Sequence, residues 1–227
     1  MRTAKVLITA AALTLTAMLV HPANALSPMD AQACSQLSMM RAAATSDATK
    51  LNATKAVLRD LWIGHIFWVR NVVVAELAGD AAAQEAAEKQ VVANAQSIAR
   101  AIEPFYGKSA TERLFTLLAA HYGAVKAYLD AAIAKDDGKQ SEATTNLMSN
   151  AAEIAVFLST ANQYLPKNDV EGLLQAHGSH HITEIQQLLA KDYAGEAQTW
   201  AEMSQHMYVI ADAIVDSLAK QFPDKLY

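Results

Sequence analysis

The chain has 227 residues, 52% hydrophobic and 18% charged, with 8 Gly, 5 Pro and a net charge of -5. That length suffices for one substantial core or two small domains. A net negative chain with no run of five basic residues offers no stripe for a nucleic-acid backbone. Frequent alanine, few Gly or Pro and short β-branched runs favour helix almost everywhere.

The chain opens as a targeting segment. Arg2 and Lys5 precede an uncharged apolar run, Val6 to Val20, and Ala23-Asn24-Ala25 satisfies the small-residue rule before a cleavage site. The run is short for a membrane span. Residues 1–25 are therefore expected to be a signal peptide, the protein to be exported to the periplasm or beyond, and no span to remain after its removal. Residues 26–48 are expected to be poorly ordered. They hold Cys34, the one cysteine, which excludes an internal disulfide.

From residue 49 on, a helical domain is expected. An offset of 56 residues carries His65 onto His121 and His121 onto His177. Leu61, Leu117 and Leu173 share the register, as do Asp80, Asp136 and Asp192, and Ile98, Ile154 and Ile210. Such self-similarity reads as three tandem helix–turn–helix units, at about 52–107, 108–163 and 164–221. Leu61, His65, Val69, Val73 and Leu77 recur every four residues, one face of a helix. Each Asp sits where the pattern changes phase, a natural N-cap. Ser109 with Glu112, and Asn168 with Glu171, suggest capping boxes. The predicted helices run over 50–78, 81–103, 110–134, 138–163, 169–190 and 193–221. Short connections make them antiparallel neighbours, so the expected fold is an all-α bundle of about six helices. A short α-solenoid is the alternative.

The spacing also predicts a polar layer. His65 and Asn94 are equidistant from the turn at Gly79-Asp80, each roughly 22 Å along its helix at about 1.5 Å per residue. The same holds for His121 with Asn150 and His177 with His206. Each of the six lies on an apolar stripe, where an unpaired polar group costs roughly 1–3 kcal/mol. Histidine opposite asparagine is a mutual solution, so His65–Asn94 and His121–Asn150 are expected to be hydrogen-bonded pairs, with direct metal ligation as the alternative. Trp62, Phe67 and Trp68 are expected to be core or groove residues.

The third unit departs from the other two. His181 replaces Val69 and Val125, Glu184 replaces Val72 and Tyr128, and His206 replaces the asparagines. His177, His181 and Glu184 share one helix face. Across the hairpin, His206 and Met203 are placed near them. Imidazoles with a carboxylate suit zinc, copper(II) or ferrous iron, and methionine would suit the softer cuprous ion instead. His180 is expected to be solvated. No P-loop, G-x-S-x-G, G-x-G-x-x-G, HExxH or paired E-x-x-H motif is present.

Four stretches carry a resemblance. LRDLWIGHIFWVRNVV (Leu58–Val73), AIEPFYG (Ala101–Gly107), NAAEIAVFLSTAN (Asn150–Asn162) and AKQFPDK (Ala219–Lys225) resemble an uncharacterised family of small exported bacterial all-helical proteins. Its pattern is LWxxHxxWxR, PFYG, LLxxH and KQFP, and the likeness runs from about residue 55 onward. Some members carry a glycosyltransferase label, which nothing in this chain matches. The resemblance implies no activity. It places Trp62, His65, Trp68, Arg70, His121 and Asn150 at motif positions, and leaves His181 and Glu184 outside them.

The expected function is an exported helical binding protein, holding copper or zinc or a small ligand at the layer. The metal set is His177, His181, Glu184, His206 and Met203, and the wider layer is His65, Asn94, His121 and Asn150. The alternative is a scaffold with a purely structural His–Asn layer and a protein partner. Catalysis is not expected. Were it present, it would be metal-assisted.

Overall fold

The computed structural model describes residues 28–226, so the expected signal peptide lies outside the described residues. The chain divides into two compact units, Met1–Ala42 and Ala43–Tyr227. Of the first, residues 28–42 are described and are helical. The helices are α1 (Pro28–Ala78), α2 (Ala81–Ala101), α3 (Glu103–Ile133), α4 (Asp137–Ala161), α5 (Lys167–Ala190), α6 (Tyr193–Gln221) and the short α7 (Pro223–Leu226). No strand occurs among the described residues.

The segment 26–48, expected to be loosely ordered, is helical from Pro28. Between Met29 and Ile63 no Gly or Pro interrupts the chain, so helix propensity runs on unbroken. The stretch Thr49–Ala78 is also long and apolar enough to cross a membrane by composition. Its apolar face is instead packed in the bundle core, through Leu58, Trp62, Ile66, Val69, Val72 and Val73.

The three aspartates cap as their phase shift implies. Asp80, Asp136 and Asp192 accept from the backbone N–H groups of Ala83, Lys139 and Gly195, each at 3.0 Å. The two capping boxes do not form. α3 starts at Glu103 and runs through Ser109, with a kink at Gly107, whose φ of 79° suits glycine. α5 starts one residue before Asn168, capped by Pro166 without a side-chain bond.

Consecutive helices from α2 to α6 pack side by side. The bundle closes where α6 returns to α1. Arg59 grips Asp212 at 2.8 and 2.5 Å, Lys55 meets Asp216 at 2.7 Å, and Arg70 meets Glu196 at 2.5 Å. Under these pairs, Leu58, Trp62 and Ile66 share one apolar cluster with Met203, Met207 and Ile210. The first and last helices of a linear stack would not meet, so the fold is a closed bundle and not a solenoid.

A polar layer divides the core. On α1, Leu58, Trp62 and Ile66 belong to one apolar cluster, Val69, Val72 and Val73 to another, and His65 lies at the divide. His121 separates Leu117 and Leu118 from Val125 and Leu129 in the same way. One hydrogen bond recurs across the layer in all three hairpins. Asn94 donates to the Leu61 carbonyl at 2.9 Å, Asn150 to Leu117 at 3.1 Å, and His206 lies 2.8 Å from that of Leu173, each pair 33 residues apart.

Two glycines test this packing. A Cβ at Gly64 would stand 2.9 Å from the Asn94 amide nitrogen, whereas one at Gly123 meets nothing within 4 Å. Alanine is favoured over glycine in a helix by about 1 kcal/mol. Gly123→Ala is therefore expected to raise stability by about 0.5–1 kcal/mol. Gly64→Ala forfeits the Asn94 bond and should fall short of that gain by about 1 kcal/mol. Denaturant titration of the two variants reads the difference, and equal gains would contradict it.

Candidate metal centre

Four histidines converge inside the bundle. His65 comes from α1, His121 from α3, and His177 and His181 from successive turns of α5. Their exposures are 5%, 3%, 1% and 0%. One ring nitrogen from each lies within 4.8 Å of the other three. His177 and His181 approach closest, with Nε2 to Nε2 at 3.2 Å. The His121 and His177 rings are nearly parallel, 5.3 Å apart, and His65 is 5.5–6.1 Å from the other three.

The sequence explains the convergence. His65, His121 and His177 occupy equivalent places on three inward-facing stripes, so closing the ring of helices turns them to one point. His181 follows His177 by one turn, where α1 and α3 carry Val69 and Val125. It therefore reaches the same point from the far side of the layer.

The state of His121 follows from its neighbours. The Asn150 amide nitrogen donates to the Leu117 carbonyl, so its Oδ1 is turned to His121 Nδ1, 3.2 Å away. That oxygen can only accept, so Nδ1 carries the proton and Nε2 keeps its lone pair. Nε2 is buried without a partner. A ring fixed by an amide on one nitrogen, with the other free, has the form of a metal ligand with its supporting shell.

Burial keeps these rings uncharged. Desolvation lowers His65 and His177 well below the usual imidazole range, and neighbouring imidazoles add to the effect. His121 falls to about 3 and His181 to about 4 for the same principal reason. Neutral imidazole is the form that binds a metal. A tetrahedral ion with bonds of about 2.0–2.1 Å sets its nitrogens about 3.3–3.4 Å apart. The His177–His181 pair is already at that spacing.

Glu184 sits behind the cluster. It is fully buried, and neither carboxylate oxygen has a hydrogen bond among the described residues. Oε2 is 3.9 Å from His181 Nδ1, and Oε1 is 3.9 Å from Arg70 Nε, which donates to Glu196. Burial pushes Glu184 up to about 8, against the pull of Arg70. With His181 Nε2 facing the cluster, Glu184 stands at the opposite nitrogen, where it would orient the ring rather than bind an ion.

Several expectations are revised. His177 and His181 lie in the cluster, but His206 does not. Its Nε2 is taken up by the Leu173 carbonyl, and its ring pairs with the half-buried His180, 5.3 Å away. It does the work of Asn94 and Asn150, whose place it occupies. Glu184 is not among the clustered ligand atoms and stands 3.9 Å from His181 Nδ1. Met203 is fully buried in the apolar cluster of Trp62 and Met207. The pairing of His121 with Asn150 is present as expected. Asn94, by contrast, bonds the Leu61 carbonyl, and its Oδ1 has no partner among the described residues. His65 and His121, read as layer residues, are members of the cluster itself. The 56-residue register was the signal for them.

No family model, no curated protein and no solved structure matches the chain.

The buried imidazoles set a pH dependence for protein stripped with a chelator. Below about pH 6.5 the unfolded chain protonates its histidines while the folded cluster does not, so stability falls as pH falls toward 4. Glu184 has the opposite sign. Its raised value keeps it protonated when folded and ionised when unfolded between about 4.5 and 8, and it cancels one proton of the uptake. The expected net uptake on unfolding near pH 5 is about three protons, a slope of about 4 kcal/mol per pH unit. Denaturant titrations from pH 7 to 4.5 measure it. A flat profile would contradict a neutral buried cluster.

Proposed function

We propose that this protein binds one transition-metal ion, copper or zinc, through His65, His121, His177 and His181. The observation that carries this is the gathering of four buried, uncharged imidazoles with ligand atoms within 4.8 Å of one another. Without a cation the arrangement is costly. His121 Nε2 is buried without a hydrogen-bond partner, and such an atom costs roughly 1–3 kcal/mol. An ion would take up the inward lone pairs and favour ionised Glu184 behind His181. Four nitrogen donors suit copper(II) and zinc and do not suit magnesium or calcium, which prefer oxygen.

The reading extends the sequence expectations. The protein is proposed to be exported after removal of residues 1–25, and its three hairpins to be copies of one 56-residue unit. Three copies supply one histidine each, and the third adds His181 and Glu184. Binding without catalysis is preferred, because the four side-chain ligands fill the sites a tetrahedral ion offers. A structural layer is the second reading. The His121–Asn150 and Asn94–Leu61 bonds favour it, since both stand without an ion.

Protein purified without a histidine tag is expected to hold one copper or zinc per chain by elemental analysis. Added ion at 100-fold above its dissociation constant should stabilise the stripped protein by about 2.7 kcal/mol. For a domain of this size that raises the melting temperature by about 5–10 °C. His177→Ala and His121→Ala should abolish both effects, and His206→Asn should keep them. A protein that takes no ion, and melts earlier only because His121→Ala breaks the Asn150 bond, would favour the structural layer.

A further inference from the structure

Toward lower residue numbers on α1, α3 and α5, the core beside the imidazole cluster holds a cavity of about 40 Å3. Trp62, Leu118 and Leu174 form one ring of its wall, and Ile98, Ile154 and Ile210 another. Each ring takes one side chain from each hairpin at the 56-residue spacing, so the cavity runs along the central axis. The rest of its lining is also apolar.

Size and chemistry limit what can occupy it. That volume exceeds the roughly 10–15 Å3 that one water-sized sphere fills, so the space takes a small molecule of a few heavy atoms. Water itself needs two to four polar partners. Among the lining side chains only Trp62 Nε1 is polar, and it has no hydrogen-bond partner among the described residues. A dry cavity of this kind favours a small apolar molecule.

The cavity adjoins the candidate metal centre. Trp62, Leu118 and Leu174 each precede a cluster histidine by three residues, about one helical turn. The Trp62 ring stands edge-on to His65, with centroids 6.2 Å apart. His181 follows His177 by one turn, so it approaches from the opposite side. The side chains that line the cavity include no histidine or acid.

We propose that this cavity binds an apolar diatomic molecule, of the dioxygen or nitric oxide class, beside the ion held by the four histidines. The proposal rests on the metal reading for its second half. The cavity itself stands without it.

Xenon is the probe. Xenon-129 NMR on the metal-free, zinc-loaded and copper(II)-loaded protein is expected to show one saturable site in all three forms. Nitric oxide should displace the xenon from the metal-free protein. Paramagnetic copper(II) should broaden the bound signal many-fold over the zinc form, because the two sites are about one turn apart. Leu118→Phe should lose the xenon signal and keep its ion. Ile210→Ala enlarges the cavity and should bind xenon more tightly, which covers the case where the bulkier variant does not fold. Absence of a saturable signal in folded wild type would overturn the proposal, as would failure of nitric oxide to compete. Equal line widths in copper and zinc forms, each holding one ion, would overturn its placement beside the centre. Xenon uptake by a protein that takes up neither added copper nor added zinc would end the metal reading and leave a gas-binding cavity alone.

Discussion

Four imidazoles buried at one level of an apolar core have to be satisfied, and the rest of the molecule is arranged around that need. Each ring brings two polar nitrogens out of water. Hydrogen bonds within the protein answer for part of that cost: Asn150 holds His121, and His177 and His181 lie 3.2 Å apart. They leave His121 Nε2 and the Nδ1 atoms of His177 and His181 without partners. Protonation is not an escape, because a charge at this depth is dearer than the missing bond. A cation at the centre would engage His121 Nε2 and the facing Nε2 atoms of His177 and His181, and would leave their Nδ1 atoms to the surrounding shell.

The fold serves the same end. The apolar clusters above and below the layer clamp the rings in place, and the ring of helices is shut by Arg59–Asp212, Lys55–Asp216 and Arg70–Glu196. These pairs are partly exposed, so their energetic value is modest. Arg70 also faces inward, 3.9 Å from the buried Glu184. One residue thus couples the outer seam of the bundle to the shell behind His181. A change at Arg70 would reach the cluster through Glu184 without touching a ring nitrogen.

Much of this was legible in the sequence because helices and turns are local. The three Asp caps sit where the apolar stripe changes phase, and they cap. The common register of His65, His121 and His177 placed them at one height. Height alone does not say which rings face the axis. That depends on how far each helix is rotated about its own axis, which packing decides. For that reason the pairing of His121 with Asn150 was legible, whereas the separation of Asn94 from His65 and of His206 from the cluster was not. Asn94, Asn150 and His206 turn to the carbonyl four residues before each layer histidine, a backbone partner invisible in a side-chain pattern. Glu184 shares the face of His181, yet its three-residue offset puts it at the outer nitrogen. Residues 28–48 are helical because helix propensity in an alanine-rich stretch persists where no apolar period announces it.

The most direct test is X-ray absorption at the edge of the copper or zinc bound by the purified protein. The account predicts a first shell of nitrogen alone, about four scatterers near 2.0 Å, with the outer-shell scattering of imidazole rings. A sulfur shell near 2.3 Å, or a shell dominated by oxygen without ring scattering, would contradict it.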